Sequence, residues 1–261
     1  MGDNKNPKLA FCAANVTGLK VIDFVTQYPY PIEFVATCNH DNAYEDQIAK
    51  LCESRGIVTY RQVSTDDPTF IQNIHDKEID LMMLAWWPDI VHPPAIDAAK
   101  IGWINMHPSL LPYNRGKHPY YWAINEGTPF GVTLHFIDKK TDTGDLLFQR
   151  EIEVEITDTG ESLYKKGLES ILDLFKESYP KIVKLDFERR PQDDTVATYH
   201  RGKDLEPHST INLSQMYSGI DIINRIRGRT FMNGDSAHIA YNGKTYRVKM
   251  VIEPTDQNQH T

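Results

Sequence analysis

In the first half of the chain, short apolar runs alternate with longer segments whose apolar residues recur every three or four positions. The short runs are typical of buried strands, and the longer segments are typical of amphipathic helices. The predicted strands are 8–14, 32–38, 57–60, 79–85 and 102–106, and the predicted helices between them are 19–28, 45–55, 69–77 and 94–100. Strands that alternate with helices form βαβ units, so we expect an α/β fold with a Rossmann-like open, mostly parallel sheet and helices on both faces.

The second half of the chain shows a different pattern. Its predicted elements are a short helix at 120–125, strands at 131–138 and 146–156, a long helix at 159–183, a helix at 216–227, and strands at 237–241 and 245–252. Thr159 and Ser162 are candidates for the start of the long helix, because their hydroxyls can accept a backbone N–H. Asn242 and Gly243 form the strongest short-range hairpin signal, so the last two strands should pair.

The segment 191–207 is polar and rich in turn-forming residues, which indicates a connector. It divides the chain into two predicted domains. We expect residues 1–190 to form the Rossmann-like main domain, and residues 191–261 to form the connector and a small C-terminal α+β module with a helix and a β-hairpin.

The charge distribution limits the class of partner. The 261 residues carry a formal net charge of −8, and proteins that bind nucleic acid usually need a surplus of cations against the phosphates. We therefore expect no nucleic-acid partner. From Arg201 onward, however, eight cations stand against six acidic residues. This mildly basic end is suited to a diphosphate and not to a tRNA.

Three scattered cysteines, Cys12, Cys38 and Cys52, show no Cys-x-x-Cys spacing and suit a reducing compartment. The segment 1–6 lacks the apolar core of a signal peptide, and no apolar run approaches the roughly 20 residues of a spanning helix. We expect a soluble, cytoplasmic protein with no membrane partner and no bound metal.

The candidate chemistry lies between residues 104 and 147. Asn105 and His107 end a predicted strand that Pro108 terminates, and side chains two apart on a strand share one face. In an open α/β sheet, ligands bind at the carboxyl ends of the strands. Asp142 lies in a turn eased by Gly144, from which its carboxylate can reach the imidazole.

An imidazole can move a proton near neutral pH, a carboxylate can orient the imidazole, and an amide N–H can hold an oxyanion. This set suits acyl transfer, yet no Gly-x-Ser-x-Gly nucleophile motif is present. The nucleophile must then come from a substrate, most simply an amine.

Three motifs occur together: Asn105-x-His107-Pro-Ser-Leu-Leu-Pro, Gly131-Val-Thr-Leu-His135, and Asp142-Thr-Gly. In this order and spacing they resemble the signature of the formyltransferases that use N10-formyltetrahydrofolate. The resemblance covers about the first two thirds of the chain. It implies an enzyme whose catalytic residues are Asn105, His107 and Asp142, and whose co-substrate is N10-formyltetrahydrofolate. The residues that it implies for folate binding are Leu84, Ala85, Trp86, Trp87, Asp138 and Lys139.

Within the family, a core followed by a helix, an Ile226-Arg-Gly-Arg-Thr-Phe231 element and a hairpin resembles the nucleotide-linked sugar N-formyltransferases. This implies formyl transfer to the amine of a dTDP-sugar, with dTDP-4-amino-4,6-dideoxyglucose as the favoured acceptor, in lipopolysaccharide O-antigen biosynthesis. The exposed hairpin and helix indicate a homodimer. Candidate contacts with the nucleotide-linked sugar are Tyr113, Asn114, Arg115, Lys117, Tyr217, Arg225 and Phe231.

Other functions stay open on the sequence alone. Within the family the acceptor could be a dTDP-3-amino sugar or GDP-perosamine, or, with less support, methionyl-tRNA or glycinamide ribonucleotide. A hydrolase that releases formate from the same folate would use nearly the same residues. The chain could also be a folate or nucleotide-sugar binding module without turnover. The sequence does not give the sugar, the base, the position of the amine or the oligomeric state.

Overall fold

The computed structural model describes residues 6–38 and 42–255. The first five residues, which enter the expectation that no signal peptide is present, lie outside this range. The N-terminal half contains β1 (Leu9–Ala13), α1 (Asn15–Val25), β2 (Ile32–Thr37), α2 (Asn42–Ser54), β3 (Thr59–Tyr60), α3 (Pro68–Asp76), β4 (Leu81–Ala85), α4 (Pro93–Ile96) and β5 (Gly102–His107). The remainder contains β6 (Arg115–Gly116), α5 (Pro119–Glu126), β7 (Phe130–Phe136), β8 (Leu146–Ile152), α6 (Gly160–Ile182), β9 (Tyr199–His200), α7 (Leu205–Ser209), β10 (Thr210–Ile211), α8 (Gly219–Gly228), β11 (Ala237–Tyr241) and β12 (Lys244–Val248).

Seven strands form the central sheet in the order β3-β2-β1-β4-β5-β7-β8. The first five run parallel, β7 runs antiparallel to β5, and β8 runs antiparallel to β7. The predicted α/β fold with an open, mostly parallel sheet is confirmed. The sequence could not predict that β7 runs antiparallel to β5, because the residues of a strand do not show which strand will pair with it or in which direction.

Both faces of the sheet are covered by helices. Leu9 and Phe11 point to one face, where they pack with α1, α2 and α6. Ala10 and Cys12 point to the other, where they pack with α3 and α4. All five residues of β1 are buried, because a strand covered on both sides needs apolar residues at every position.

Helix α6 begins next to Thr159, as the sequence predicts. The Thr159 side chain accepts from the Ser162 backbone N–H at 3.2 Å, and the Ser162 hydroxyl accepts from the Thr159 N–H at 3.0 Å. The reciprocal bonds satisfy two backbone donors that a helix start leaves open. Next to them, an added Cβ on Gly160 would lie 2.1 Å from the Gly228 carbonyl oxygen, so α6 and α8 approach closely only through a glycine.

The C-terminal module is a three-stranded sheet beside α8. Strands β11 and β12 form the predicted hairpin, and Asn242 and Gly243 take positive φ angles of 47° and 71°, as a type I′ turn requires. Strand β10 adds a parallel neighbour to β11. The buried Arg227 guanidinium ties α8 to the core, since its Nη1 donates to the carbonyl oxygens of Glu155 and Asp158, each at 2.9 Å.

One strand of the predicted connector pairs with a short strand from the first predicted domain. Strand β6, in the segment after Pro112, lies parallel to β9 in the predicted connector. In β9, the His200 ring stacks on Trp122 with centroids 3.9 Å apart. In the ranges that the structure describes, no helix is long and apolar enough to cross a membrane.

Candidate active site

The site is assembled at the carboxyl end of β5. Asn105 and His107 share a face of this strand, and the antiparallel register of β7 places His135 directly opposite Asn105. The Asn105 Nδ2 lies 3.2 Å from the His135 Nε2. Asp142 follows β7 in a turn, and its carboxylate oxygens lie 3.7 Å from the Nε2 atoms of both His107 and His135. The three predicted catalytic residues therefore meet, and His135 joins them.

Two glycines allow the Asp142 turn to fold this tightly. An added Cβ on Gly144 would lie 1.9 Å from the Phe136 carbonyl oxygen, and one on Gly116 would lie 2.1 Å from the His200 carbonyl oxygen. No larger residue fits at either position without moving the backbone. The Gly116 N–H, held close in this way, donates to the Asp142 Oδ2 at 2.8 Å. Asp142 itself has a φ of 56°, in the left-handed region that Asp tolerates better than most residues.

The electrostatics keep His135 neutral and Asp142 charged. Burial lowers the pKa of His135 to about 4, even though the Asp142 carboxylate opposes the shift. Its Nδ1 lies 2.7 Å from the Phe136 carbonyl oxygen and must donate there, so the Nε2 accepts from the Asn105 amide. Burial raises the pKa of Asp142, but His107, the Gly116 N–H and Lys117 together outweigh it, and the net pKa lies below its ordinary value.

His107 differs from His135 in having an unoccupied ring nitrogen. Its Nε2 is buried and makes no hydrogen bond within the part of the chain that the structure describes. Buried polar atoms normally have a partner, and an exception calls for a ligand or water at that point. The atom lies 3.7 Å from the Asp142 carboxylate, and the His107 residue lines a cavity.

The cavity has a volume of about 810 Å³, within the usual range for ligand sites. Five of the six predicted folate contacts line it, and Ala85 does not, because it is fully buried within β4. The predicted folate contacts that line the cavity are Leu84, Trp86, Trp87, Asp138 and Lys139. The predicted catalytic residues Asn105, His107 and Asp142 also line it. Tyr120 and Tyr164 also line it, and the Tyr164 ring lies 6.3 Å from that of Trp86. The sequence reasoning missed both tyrosines.

The predicted contacts with a nucleotide-linked sugar are more scattered. Lys117 lines the cavity. Arg115 does not: its guanidinium is buried and donates to Gln192 and Asp194. The connector thus supplies the hydrogen-bond acceptors of this guanidinium. A contact between Arg115 and a nucleotide-linked sugar stays a prediction.

The other five contacts lie away from the cavity lining. Asn114 is buried and donates to the Thr128 hydroxyl, and Tyr113 is half-buried. Phe231 packs on the cavity-lining Tyr120, with ring centroids 5.6 Å apart. In the C-terminal module, the Arg225 guanidinium lies over the Tyr217 ring at 5.3 Å. Their roles toward a ligand stay predictions.

One atom set could also hold a metal ion. Ligand atoms of His107, His135 and Asp142 all lie within 4.8 Å of one another. Two imidazoles and a carboxylate suit several divalent metals. The expectation that the protein works without a metal therefore stays a prediction that needs a metal assay.

Two family models match parts of the chain. The family model for Formyl transferase matches residues 18–177, and the model for N-formyltransferase dimerization C-terminal domain matches residues 204–254. A methionyl-tRNA formyltransferase from Macrococcus caseolyticus is 30% identical over 184 residues, which is 68% of this chain and 57% of that protein. The chain spans about half the length of the curated relatives it matches.

Two solved structures cover nearly the whole chain. A 4-N formyltransferase from Francisella tularensis superposes with a TM-score of 0.81 at 21% identity, covering 95% of this chain and 99% of the other. An N-formyltransferase from Helicobacter canadensis, solved with folinic acid and dTDP-3-aminofucose, gives 0.72 at 22% identity, covering 91% and 85%. At these identities the likeness establishes the fold. Because the first family model spans more than half of the chain, the chain belongs to the formyl transferase family.

Proposed function

We propose that the protein transfers the formyl group of N10-formyltetrahydrofolate to the amine of a nucleotide-linked amino sugar. The observation that carries this proposal is the meeting of the Asn105 amide, the His107 imidazole and the Asp142 carboxylate beside a cavity of about 810 Å³. The site offers oxyanion donors and a proton acceptor, and the attacking amine comes from the acceptor substrate.

Transfer is direct in this mechanism. The amine nitrogen attacks the formyl carbon and forms a new C–N bond, while the carbonyl oxygen gains the negative charge. Asn105 has two amide hydrogens, of which one is directed at His135, and the second can reach the oxyanion together with the His107 Nε2. Each such donor lowers a barrier by about 3 kcal/mol.

Asp142 completes the transfer by moving a proton. Its ionised carboxylate orients His107 and accepts the amine proton directly or through water. Collapse of the intermediate breaks the bond to N10, which takes up a proton, and tetrahydrofolate leaves. The cavity contributes by holding both substrates in contact, where effective molarities can reach on the order of 10⁵ M.

The acceptor proposal is narrower: dTDP-4-amino-4,6-dideoxyglucose, for lipopolysaccharide O-antigen biosynthesis in the cytoplasm. The match of residues 204–254 to a C-terminal domain of N-formyltransferases supports a sugar acceptor over methionyl-tRNA. The Francisella tularensis neighbour is a 4-N formyltransferase, which supports a C-4 amine, while the dTDP-3-aminofucose in the Helicobacter canadensis structure keeps the C-3 amine as the alternative.

The homodimer belongs to the same proposal. Residues 204–254 match a domain named for dimerization, and this region exposes large apolar side chains. The most exposed are Leu213, Met216, Met232, Tyr241 and Val251. A second copy of the chain would remove them from water.

The experiment is a spectrophotometric assay of tetrahydrofolate release with a panel of nucleotide-linked 3-amino and 4-amino sugars, methionyl-tRNA and glycinamide ribonucleotide. Release that depends on one amino sugar supports the proposal and identifies the acceptor. Release in the control without acceptor would indicate a hydrolase. Release with methionyl-tRNA alone, or no release with any acceptor, would contradict the proposal.

A further inference from the structure

The segment 189–194 lies alongside the Asp142 turn and contacts it repeatedly. We name residues 189–194 the strap. Its residue Arg190 exchanges two backbone hydrogen bonds, at 2.8 and 3.0 Å, with Leu146 of β8. The Nε of its residue Arg189 donates to the Asp145 carboxylate at 2.9 Å. The strap falls between the two family-model matches, which end at residue 177 and resume at residue 204.

Gln192 makes the contact nearest to the reacting groups. Its Nε2 donates to the carbonyl oxygens of Asp142 and Gly144, each at 2.8 Å. Its Oε1 accepts two bonds from Arg115, from Nε at 3.1 Å and from Nη2 at 2.8 Å. Both donors and both lone pairs of the amide are thus used.

This arrangement demands an amide. A guanidinium can only donate and a carbonyl oxygen can only accept, so the group between Arg115 and the turn must accept on one side and donate on the other. A carboxylate would repel the two carbonyl oxygens, and an ammonium would repel Arg115. A glutamine satisfies both sides in one orientation.

Arg115 and Gly116 therefore hold Asp142 at two points. Gly116 donates to the carboxylate itself at 2.8 Å, and Arg115 reaches the backbone of the same turn through Gln192. Arg115 is in turn fixed by the Asp194 carboxylate at 2.8 Å. A turn held at both its backbone and its side chain keeps the carboxylate 3.7 Å from the His107 Nε2.

We infer that Gln192 is a positioning residue for the transfer reaction, which fixes the Asp142 carboxylate against His107 by joining the 142–144 turn to Arg115. This inference rests on the proposed function for its kinetic consequence, and on geometry alone for its structural one. Displacing a reacting group by about 1 Å can slow a reaction by about 100-fold.

The test compares Gln192→Glu with wild type and with Thr195→Ala as the matched control. Thr195 lies just beyond the strap, and its hydroxyl bonds to the exposed Asp193. The Glu variant keeps the size and the Arg115 contact but places an anion against the two carbonyl oxygens. We expect kcat to fall about 10- to 100-fold with the KM of each substrate within about twofold, and Thr195→Ala to match wild type.

A double variant separates positioning from a general loss of structure. If Gln192 acts through Asp142, adding Gln192→Glu to Asp142→Asn should slow the residual rate by less than about twofold, because residues that act as a unit are not additive. A multiplicative loss in the double variant, or an unchanged kcat in Gln192→Glu alone, would overturn the inference.

One further readout does not depend on turnover. The Gly116 amide proton reports on the carboxylate that accepts it, so its hydrogen exchange, followed by NMR, should become about tenfold faster or more in Gln192→Glu. If wild type transfers no formyl group to any acceptor, the proposed function fails while faster Gly116 exchange still supports the turn contact. Unchanged Gly116 exchange would overturn the inference in either case.

Discussion

His107 and His135 have ring centroids 5.9 Å apart, yet their environments assign them different tasks. His135 uses both ring nitrogens within the protein, on the Phe136 carbonyl and the Asn105 amide. His107 lines the cavity, and its Nε2 makes no hydrogen bond within the described part of the chain. We therefore interpret His135 as the group that orients the Asn105 amide and His107 as the group that meets the substrate.

Asp142→Asn tests the proton acceptor at this scale. The amide preserves the size of the side chain but cannot take a proton, so we expect kcat to fall by about 100-fold or more. Binding of folate and nucleotide-linked sugar, measured by calorimetry, should stay within a few-fold. Activity close to wild type would remove Asp142 from the catalytic set.

The pKa of His135, about 4 in the folded protein, predicts a pH-dependent stability. An unfolded histidine has a pKa near 6.5, so between pH 6.5 and 4 the unfolded chain binds more protons and stability rises with pH. The part of the unfolding free energy that depends on a neutral His135 is fully present above about pH 6.5 and is lost as the pH falls to about 4. It amounts to about 3 kcal/mol.

Urea unfolding at several pH values measures this contribution. The variant His135→Gln should show a shallower loss of unfolding free energy across the window than wild type, whatever its absolute stability. The exposed His75 provides the control, since His75→Gln should keep the wild-type slope. Equal slopes in all three proteins would show that His135 is not held neutral by burial.

At the scale of elements, the site depends on how β7, the 137–145 turn and β6 meet. The turn must pass close to the end of β7, and Gly144 is the residue that permits it. The β6 strand must pass close to β9, and Gly116 permits that approach. The strands β6 and β9 are far apart in the sequence, so Gly116 permits a contact between distant segments. Gly144, by contrast, permits a tight local turn.

Gly144→Ala tests the close approach of the turn. Its Cβ would lie 1.9 Å from the Phe136 carbonyl oxygen, so the turn must move, and we expect a loss of about 1–3 kcal/mol in unfolding free energy together with reduced kcat. Gly219→Ala is the control, because an added Cβ there meets nothing within 4 Å. Thermal unfolding and the transfer assay measure both effects, and a Gly144 variant that behaves like the control would contradict this interpretation of the turn.

For the whole molecule, the division into residues 1–190 and 191–261 stays a prediction. The strap bonds to Asp142 and to Leu146 of β8, and Arg227 bonds to carbonyls within residues 155–158, just before α6. The polar connector is thus packed against the catalytic region and supplies one of its contacts. The apolar residues exposed in the C-terminal module support the proposed homodimer.

The homodimer prediction can be tested on the hairpin. Tyr241 and Tyr246 are 59% and 44% exposed. We expect the double substitution of both tyrosines by lysine to shift the protein from dimer to monomer in analytical ultracentrifugation, because burying two unpaired ammonium groups in an interface is costly. Val58→Lys, a substitution of an exposed apolar residue in the N-terminal half, should leave the dimer intact. A monomeric wild type would contradict the prediction.

Local patterns were sufficient for much of this protein. The two-residue period of a strand placed Asn105 and His107 on one face, the hydroxyls of Thr159 and Ser162 marked the start of α6, and Asn242-Gly243 set the hairpin. Each of these depends on backbone geometry within a few residues, and the sequence contains that information directly. The order and spacing of the three motifs likewise indicated the family, because the motifs are continuous stretches of the chain.

Only the tertiary structure decided which distant groups meet. The direction and register of β7 placed His135 opposite Asn105. The packing of the strap made Gln192 the hydrogen-bond acceptor of Arg115. Such contacts join residues 30 to 77 positions apart. They depend on how whole elements pack, because burial and the pairing of polar groups are satisfied over the entire fold at once and leave no local pattern in the chain.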